Sequence, residues 1–250
     1  MANRTRCSQR IYKTLYNDTC SDPSCHIHYG RNATEVRRAK TYMKSRRLDK
    51  QMGGDYRGRL LLSDNEALWS FTNFKIGQDI CNQLLKLPGV NRQSLITDAF
   101  AGIGGNTIIF CRNFANVRAV ELNSGRAKML THNLNIFQIK NSTVLTGYYQ
   151  VVNNRCIQDV VYFDPPWGLS YRKEDVVRIT VDDPRGSTSI ERMIADARLT
   201  TEYCVVKLPV NYDEKYFREQ IEDKLVGTII KVIKYGRPNS MLIVYIKFNQ

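Results

Sequence analysis

Apolar positions along the chain follow first the spacing of a helix and then the short runs of buried strands. Between residues 75 and 87, apolar side chains recur every three or four positions, which predicts an amphipathic helix that Pro88-Gly89 ends. Residues 94–98 form a short apolar run, as expected of a buried strand. Downstream of this run the chain alternates between the two patterns.

This alternation predicts an α/β fold with a mainly parallel, doubly wound sheet. The predicted strands are residues 94–98, 117–122, 142–146, 159–163 and 202–208, and the predicted helices are residues 107–113, 124–137, 190–199 and 215–223. Two further β-rich runs, residues 226–235 and 240–248, are joined by a Gly-Arg-Pro-Asn turn, which predicts a terminal antiparallel hairpin.

Positive charge is concentrated at the N-terminal end of the chain. The 250 residues carry a formal net charge of +13, and residues 1–60 hold 14 basic and 5 acidic residues. A polyanionic partner, nucleic acid first, is therefore expected. We divide the chain into a basic N-terminal extension, residues 1–59, and a main domain, residues 60–250. The extension, which includes a possible basic helix at residues 35–48, is interpreted either as a groove for RNA phosphates or as a solvated tail.

Membrane and secretion signals are not evident in the sequence. No apolar run approaches the ~20 residues that a transmembrane helix needs, and the basic N-terminus lacks the apolar segment of a signal peptide. We therefore expect an intracellular protein without membrane contact, with the compartment and a viral origin left open.

The seven cysteines fall into two groups. Four of them lie in apolar surroundings and are predicted to be buried free thiols: Cys81, Cys111, Cys156 and Cys204. The others share the basic segment with histidines, and four zinc ligands could come from Cys7, Cys20, Cys25 and His28. Their spacing matches no familiar zinc finger, so we assign no metal and keep free thiols as the alternative.

A glycine-rich turn follows the first predicted strand and precedes a helix. Gly102-Ile103-Gly104-Gly105 allows the backbone to approach a ligand closely. Glu121 lies near the end of the next strand, where it could accept hydrogen bonds from both hydroxyls of a ribose. Thr107 stands where a dinucleotide fingerprint has its third glycine. The pattern indicates a nucleoside cofactor, with a ligand-free tight turn as the alternative.

A second motif, Asp164-Pro165-Pro166-Trp167, ends the fourth predicted strand, at the sheet edge where ligands of such folds bind. The Asp164 carboxylate and the Pro165 carbonyl could both accept hydrogens of one exocyclic amine, which would make its lone pair more available. Trp167 offers a face on which a base can stack. The alternative is a rigid turn with a packing tryptophan.

Together these motifs resemble those of S-adenosylmethionine-dependent methyltransferases that modify exocyclic amines. Among them, residues 98–108, 165–168 and 69–72 are most similar to the trimethylguanosine synthase family, which methylates N2 of the cap guanine. The resemblance covers residues 55–250 and implies a Rossmann-like class I methyltransferase domain. It also implies S-adenosylmethionine as the cofactor and capped RNA as the partner.

The resemblance assigns roles to individual residues. The implied cofactor-binding residues are Trp69, Phe71, Thr72, Asp98, Ala101, Gly102, Gly104, Asn106, Thr107, Glu121, Leu122 and Tyr148. The implied catalytic residues are Asp164, Pro165 and Trp167, and Trp167 would stack on the methylated guanine. The candidate substrate-binding residues are Trp167, Arg59, Lys207 and Asn211.

Three positions depart from the family pattern. The family usually has Ser before Pro-Pro, whereas Asp164 is the residue typical of adenine-N6 methyltransferases. Tyr148 stands where the family has an acid near the adenine. Pro209-Val210-Asn211 lacks the family's phosphate-binding Arg, so Lys207, Arg59 or another basic residue would have to bind the cap phosphates. We predict a cap guanine-N2 methyltransferase, with an adenine-N6 methyltransferase and a catalytically silent RNA-binding subunit as alternatives.

Overall fold

The computed structural model describes residues 72–153, 156–168, 171–224, 226–236 and 240–249. The basic extension with its candidate helix and Cys/His cluster, the proposed boundary at residue 60, and Arg59, Trp69 and Phe71 all lie outside the described residues. None of the described helices is long and apolar enough to cross a membrane.

Seven strands form one sheet in the order β3-β2-β1-β4-β7-β9-β8. The strands are β1 (Leu95–Asp98), β2 (Asn116–Glu121), β3 (Ser142–Thr146), β4 (Val160–Phe163), β7 (Tyr203–Pro209), β8 (Gly227–Tyr235) and β9 (Met241–Phe248). The first five in this list pair in parallel, and β9 lies antiparallel between β7 and β8. The predicted doubly wound sheet with a terminal hairpin is therefore confirmed.

Helices cover both faces of the sheet. They are α1 (Phe74–Leu84), α2 (Gly105–Asn113), α3 (Ser124–Ile136), α4 (Tyr149–Val152), α5 (Ile190–Ala197) and α6 (Glu214–Arg218). Helices α1 to α3 pack on one face, where the core includes Ile80, Phe110, Leu130 and Tyr162. The other face, which includes Phe163 and Val206, packs against α4, α5 and α6. Alternate residues of β4 thus enter opposite cores, as the two-residue period of a strand requires.

The sequence prediction missed a small hairpin and merged two helical segments. Strands β5 (Thr180–Asp183) and β6 (Gly186–Ser189) form a separate two-stranded sheet. These strands are four residues long and largely polar, so they lack the apolar run by which strands are recognised. The predicted helix at 215–223 is α6 followed by a π-helical turn, Glu219–Asp223.

The predicted buried thiols are confirmed. Cys81, Cys111, Cys156 and Cys204 are all buried and free. Burial raises the pKa of Cys81 and of Cys111 to about 12. Among the described residues, no group of three or more His, Cys, Asp or Glu side chains could hold a metal ion.

Candidate active site

The carboxyl ends of β1, β2, β4 and β7 bring several of the predicted site residues to one edge of the sheet. Asp98, the last residue of β1, lies opposite Tyr162 of β4, and Phe163 of β4 lies opposite Val206 of β7. The register therefore places Asp164 and Lys207, the residues that follow this last pair, side by side. Parallel strands that end together present their functional residues at this edge.

The glycine turn leaves β1 and begins α2 through two residues with positive φ. Gly102 has φ +55° and Gly104 has φ +104°. The turn is fixed by hydrogen bonds from Ala101 N to the Val120 carbonyl at 2.8 Å and from Gly104 N to the Ala101 carbonyl at 2.9 Å. A Cβ added at Gly102 would meet nothing within 4 Å. The turn thus has an open side beside Gly102, as close approach of a ligand requires.

Glu121 is buried at the end of β2 and is tied to the glycine turn. Its Oε2 accepts a hydrogen bond from Gly102 N, and its Oε1 accepts one from Asn123 N, both at 2.8 Å. These two donors use two of the roughly four acceptor positions of a carboxylate. Leu122 beside it is 41% exposed, and Tyr148 is half-buried at the start of α4. The sequence predicts that these three residues contact the adenosine of the cofactor.

Asp98 is fully buried at the base of the turn. Its Oδ2 accepts a hydrogen bond from the Thr107 hydroxyl at 2.6 Å, whereas its Oδ1 has no partner among the described residues. Burial, together with the nearby charges of Asp164 and Glu121, raises the pKa of Asp98 to about 7 against the opposing effect of the Thr107 hydrogen bond. A buried carboxylate oxygen without a partner is a position at which a cationic ligand group would be stabilised.

Asn106 connects the cofactor turn to the second motif. Its Nδ2 donates a 2.9 Å hydrogen bond to Asp164 Oδ2, and its Oδ1 is buried without a partner in the described part of the chain. This Oδ1 and the orphaned Oδ1 of Asp98 are both acceptors that suit the ammonium of an amino acid moiety. The residues present therefore fit S-adenosylmethionine, which carries an ammonium, a ribose and an adenine.

Asp164 and Lys207 form a buried ion pair that the sequence prediction missed. The Lys207 ammonium lies 2.8 Å from Asp164 Oδ2, and the two side chains are 6% and 7% exposed. The ammonium also donates to the Thr72 hydroxyl at 3.1 Å. Lys207 thus contacts Asp164 and Thr72. The sequence suggested a phosphate contact for Lys207 instead. Its place in the apolar run Val205-Val206-Lys207-Leu208 was the available signal, since a buried lysine needs a partner.

Trp167 is held from two directions. Its Nε1 donates a 3.3 Å hydrogen bond to the Lys207 carbonyl, and Tyr171 packs edge-on against it with ring centroids 5.1 Å apart. The Lys207 ammonium lies 5.6 Å from the indole centroid. The ring is only partly buried, so this arrangement fixes its orientation while part of it stays accessible.

Asn211 supports the loop after Trp167. Its Nδ2 donates hydrogen bonds of 2.8 Å to the carbonyls of Tyr171 and Glu174. Both hydrogens of the amide are therefore used within the protein, in place of the substrate contact suggested for Asn211. Its effect on the site passes through Tyr171, which contacts Trp167.

Comparison with known proteins identifies a matching family and two similar sequences. The model of the family described as RNA cap guanine-N2 methyltransferase matches residues 93–250. An uncharacterized protein of Acanthamoeba polyphaga mimivirus is 31% identical over 163 residues, which are 60% of this chain and 63% of that protein. The trimethylguanosine synthase of Schizosaccharomyces pombe is 28% identical over 160 residues, 61% of this chain and 64% of that protein. The chain thus spans less than two thirds of the length of these curated relatives.

Solved structures share the fold at low sequence identity. A proposed class I S-adenosylmethionine-dependent methyltransferase from Listeria monocytogenes has a TM-score of 0.56 and 14% identity, with 85% of this chain and 69% of that one covered. A proposed RNA methyltransferase from Pyrococcus horikoshii has a TM-score of 0.54 and 13% identity, with 72% and 86% covered. Both support the Rossmann-like sheet described above.

Proposed function

Because the chain belongs to the RNA cap guanine-N2 methyltransferase family and is therefore an S-adenosylmethionine-dependent methyltransferase, we propose that its substrate is the exocyclic N2 of 7-methylguanosine in an RNA 5′ cap. The observation that carries this proposal is the placement of Trp167 beside Asp164 at the carboxyl edge of the sheet. The indole and the carboxylate are linked through one residue, since Trp167 contacts the backbone of Lys207 and Asp164 contacts its side chain.

Recognition of the cap base would depend on the exposed part of Trp167. N7-methylation gives guanine a positive charge, and a cationic ring over a tryptophan face gains about 0.5–2 kcal/mol by cation–π attraction. Stacking itself contributes about 1–3 kcal/mol per base. Trp167 would thus favour 7-methylguanine over guanine while its fixed orientation sets the plane of the bound base.

Methyl transfer would depend mainly on alignment of the amine. S-adenosylmethionine supplies a methyl group that is already activated by its sulfonium. Asp164 Oδ1 and the Pro165 carbonyl would accept the two amine hydrogens, so that the N2 lone pair is directed at the methyl carbon. Asp164 would also stabilise the positive charge that develops on the amine. This geometry requires no strong general base in the site.

The cofactor would be held by the residues around the glycine turn. Asp98 and Asn106 present acceptors for its ammonium, and Glu121 would accept from the ribose hydroxyls. Leu122 and Tyr148 would contact the adenine, and Tyr148 would supply an aromatic contact in place of the family's acid. Ala101, Gly102 and Gly104 would provide the backbone that contacts the cofactor.

The RNA and cap phosphates would be bound by the N-terminal extension, residues 1–59. Arg59 and the basic residues that precede it are the candidates, because Lys207 and Asn211 are used within the protein. Trp69 and Phe71, near the start of the domain at residues 60–250, would then complete the cofactor site.

A single assay tests the proposal. The protein is incubated with labelled S-adenosylmethionine and, separately, with m7GpppA, GpppA and adenine-containing duplex DNA. We expect label on m7GpppA, and digestion to nucleosides should locate it at guanine N2. Label on GpppA or DNA without label on m7GpppA would contradict the cap assignment.

Adenine N6 is the second candidate acceptor, and Asp164 is the observation that favours it. A carboxylate before Pro-Pro is typical of adenine-N6 methyltransferases, whereas the cap family usually has Ser there. In this case the duplex DNA, or an unmodified RNA, would be the labelled substrate and N6-methyladenosine the labelled nucleoside.

A further inference from the structure

We propose that Lys207 is a positioning residue for methyl transfer, which acts by binding Oδ2 of Asp164 so that only Oδ1 is presented to the substrate amine. This inference rests on the proposed transfer to an exocyclic amine. The sequence suggested that Lys207 contacts a phosphate, and the inference gives Lys207 a different role.

Hydrogen bonding distinguishes the two oxygens of Asp164. Oδ2 accepts from the Lys207 ammonium at 2.8 Å and from Asn106 Nδ2 at 2.9 Å, whereas Oδ1 has no hydrogen-bond partner among the described residues. Two donors on one oxygen fix the plane of the carboxylate, because rotation would break both bonds. The remaining oxygen is therefore held in a single orientation, ready to accept an N–H of the substrate.

Lys207 also supplies a buried positive charge at this edge of the sheet. Asp98, Asp164 and Glu121 lie close enough together for their charges to interact. Lys207 is the one cationic side chain among the buried residues of the described chain. A buried carboxylate is strongly disfavoured without a partner, and the Lys207 ammonium is the charged partner of Asp164.

The same residue sets the distance between the acceptor and the stacking ring. Its backbone carbonyl accepts from Trp167 Nε1 at 3.3 Å, while its ammonium holds Asp164. The ammonium is anchored on its other side by the Thr72 hydroxyl at 3.1 Å. Lys207 therefore positions both the ring that stacks on the base and the carboxylate that accepts from the amine. Its strand, β7, is buried on both faces and offers a rigid support.

Direct contact of Lys207 with a phosphate conflicts with this geometry. The residue is only 4% exposed, and two of its three ammonium hydrogens are used by Asp164 and Thr72. A phosphate-binding lysine would need its head group at the surface. The two roles predict different kinetic effects, and this difference makes the proposal testable.

A double-mutant cycle in the full-length protein separates the roles. We would measure kcat and KM with m7GpppA for wild type, Lys207→Met, Asp164→Asn and the double variant. Lys207→Met should lower kcat by about 30-fold or more and change KM for m7GpppA by less than about 3-fold, since the loss concerns alignment and not binding. In the Asp164→Asn background, the same substitution should change kcat by less than about 3-fold, because a neutral amide needs no counter-charge.

Two results would overturn the proposal. A rise in KM of similar size in both backgrounds would identify Lys207 as a phosphate contact. An equal loss of kcat in both backgrounds would show that Lys207 acts independently of Asp164. Lys86→Met, which removes an exposed lysine after α1, serves as the charge-matched control and should leave both constants unchanged. If Lys207→Met does not fold, Lys207→Gln takes its place in the cycle.

Failure of the proposed function gives a different result from failure of this inference. If the wild type labels adenine in place of m7GpppA, the cap assignment fails, and the cycle is measured on the accepted substrate, whose exocyclic amine would meet the same acceptor. Coupling between positions 164 and 207 on that substrate would support the inference. Additive effects there would overturn it.

Discussion

The hydroxyl of Thr107, in the first turn of α2, donates a 2.6 Å hydrogen bond to the buried carboxylate of Asp98 at the end of β1. This bond stabilises the ionised form, but burial and the charges of Asp164 and Glu121 outweigh it and raise the pKa of Asp98 to about 7. The site thus keeps an acidic group that titrates near neutral pH, at the position proposed for the cofactor ammonium.

Asp98→Asn should stabilise the cofactor-free protein at pH 8 and change it less at pH 5. A carboxyl whose folded pKa is raised from 3.8 to about 7 destabilises the fold progressively as the pH rises between these values. The difference in free energy of unfolding between the Asn variant and wild type should therefore increase by about 2–3 kcal/mol from pH 5 to pH 8. Denaturant unfolding at both pH values measures it, and a gain that does not depend on pH would contradict the assignment.

Cofactor affinity should depend on the same ionisation. Because the ionised carboxylate is the form that pairs with an ammonium, binding of S-adenosylmethionine should weaken as the pH falls from 7 to 5.5. Titration calorimetry in two buffers of different ionisation enthalpy should detect proton release at pH 6.5. In Asp98→Asn the affinity should be lower overall and independent of pH in this range, and a wild-type affinity without pH dependence would exclude Asp98 as the ammonium partner.

Alanine substitutions at Gly102 and Gly104, the two glycines of the turn with positive φ, should have different consequences. Gly104 has φ +104° and its added Cβ would lie 2.7 Å from Leu130 Cδ1, so Gly104→Ala should destabilise the fold by about 1–3 kcal/mol. Gly102 has φ +55° with nothing within 4 Å, so Gly102→Ala should cost only about 1 kcal/mol but weaken cofactor binding. Thermal unfolding and calorimetry compare the pair, and unchanged affinity in Gly102→Ala would show that the cofactor does not approach this turn.

Trp167→Ala should strongly weaken cap methylation while cofactor binding stays nearly intact. Loss of stacking worth about 1–3 kcal/mol predicts a rise in KM for m7GpppA of about 5- to 150-fold. Trp167→Phe, the matched control, should retain stacking with a smaller preference for m7GpppA over GpppA. Loss of S-adenosylmethionine binding in the Ala variant would instead mean that Trp167 is structural.

Thiol accessibility provides a test of the core. Cys81, Cys111, Cys156 and Cys204 are buried, and burial raises the pKa of Cys81 and Cys111 to about 12. An aromatic disulfide reagent at pH 8 should therefore modify no more than three of the seven cysteines in the native protein, and all seven after denaturation. Rapid modification of a fourth thiol would contradict the packing described.

The sequence predicted the main sheet well because central strands such as β4 and β7 are buried on both sides and the turns have distinctive residues. The apolar run of β7 and the glycine turn before α2 are local signals of this kind. The β5–β6 hairpin was missed because its strands are short and polar. The π-helical turn Glu219–Asp223 was merged with α6, since over a single turn the apolar spacing does not separate the two helix types.

Pairings between distant residues could not be predicted in the same way. Asp98, Asn106, Asp164 and Glu121 were identified from motifs, but the bond between Asn106 and Asp164 spans 58 positions. The bond from Lys207 to Thr72 spans 135 positions. Such contacts follow from strand order and register, which local patterns do not specify. The lysine within an apolar strand indicated that a partner exists without showing which residue it is.

The position of β9 affects how the protein folds during synthesis. This strand is the last of the sheet in the chain, yet it lies between β7 and β8 and pairs with both. During synthesis, β7 therefore remains an unpaired edge on that side until residues 241–248 have left the ribosome. Because β7 carries Lys207, the active site cannot be fully supported before this last strand is inserted, and a ribosome-bound chain stalled before residue 241 should be inactive.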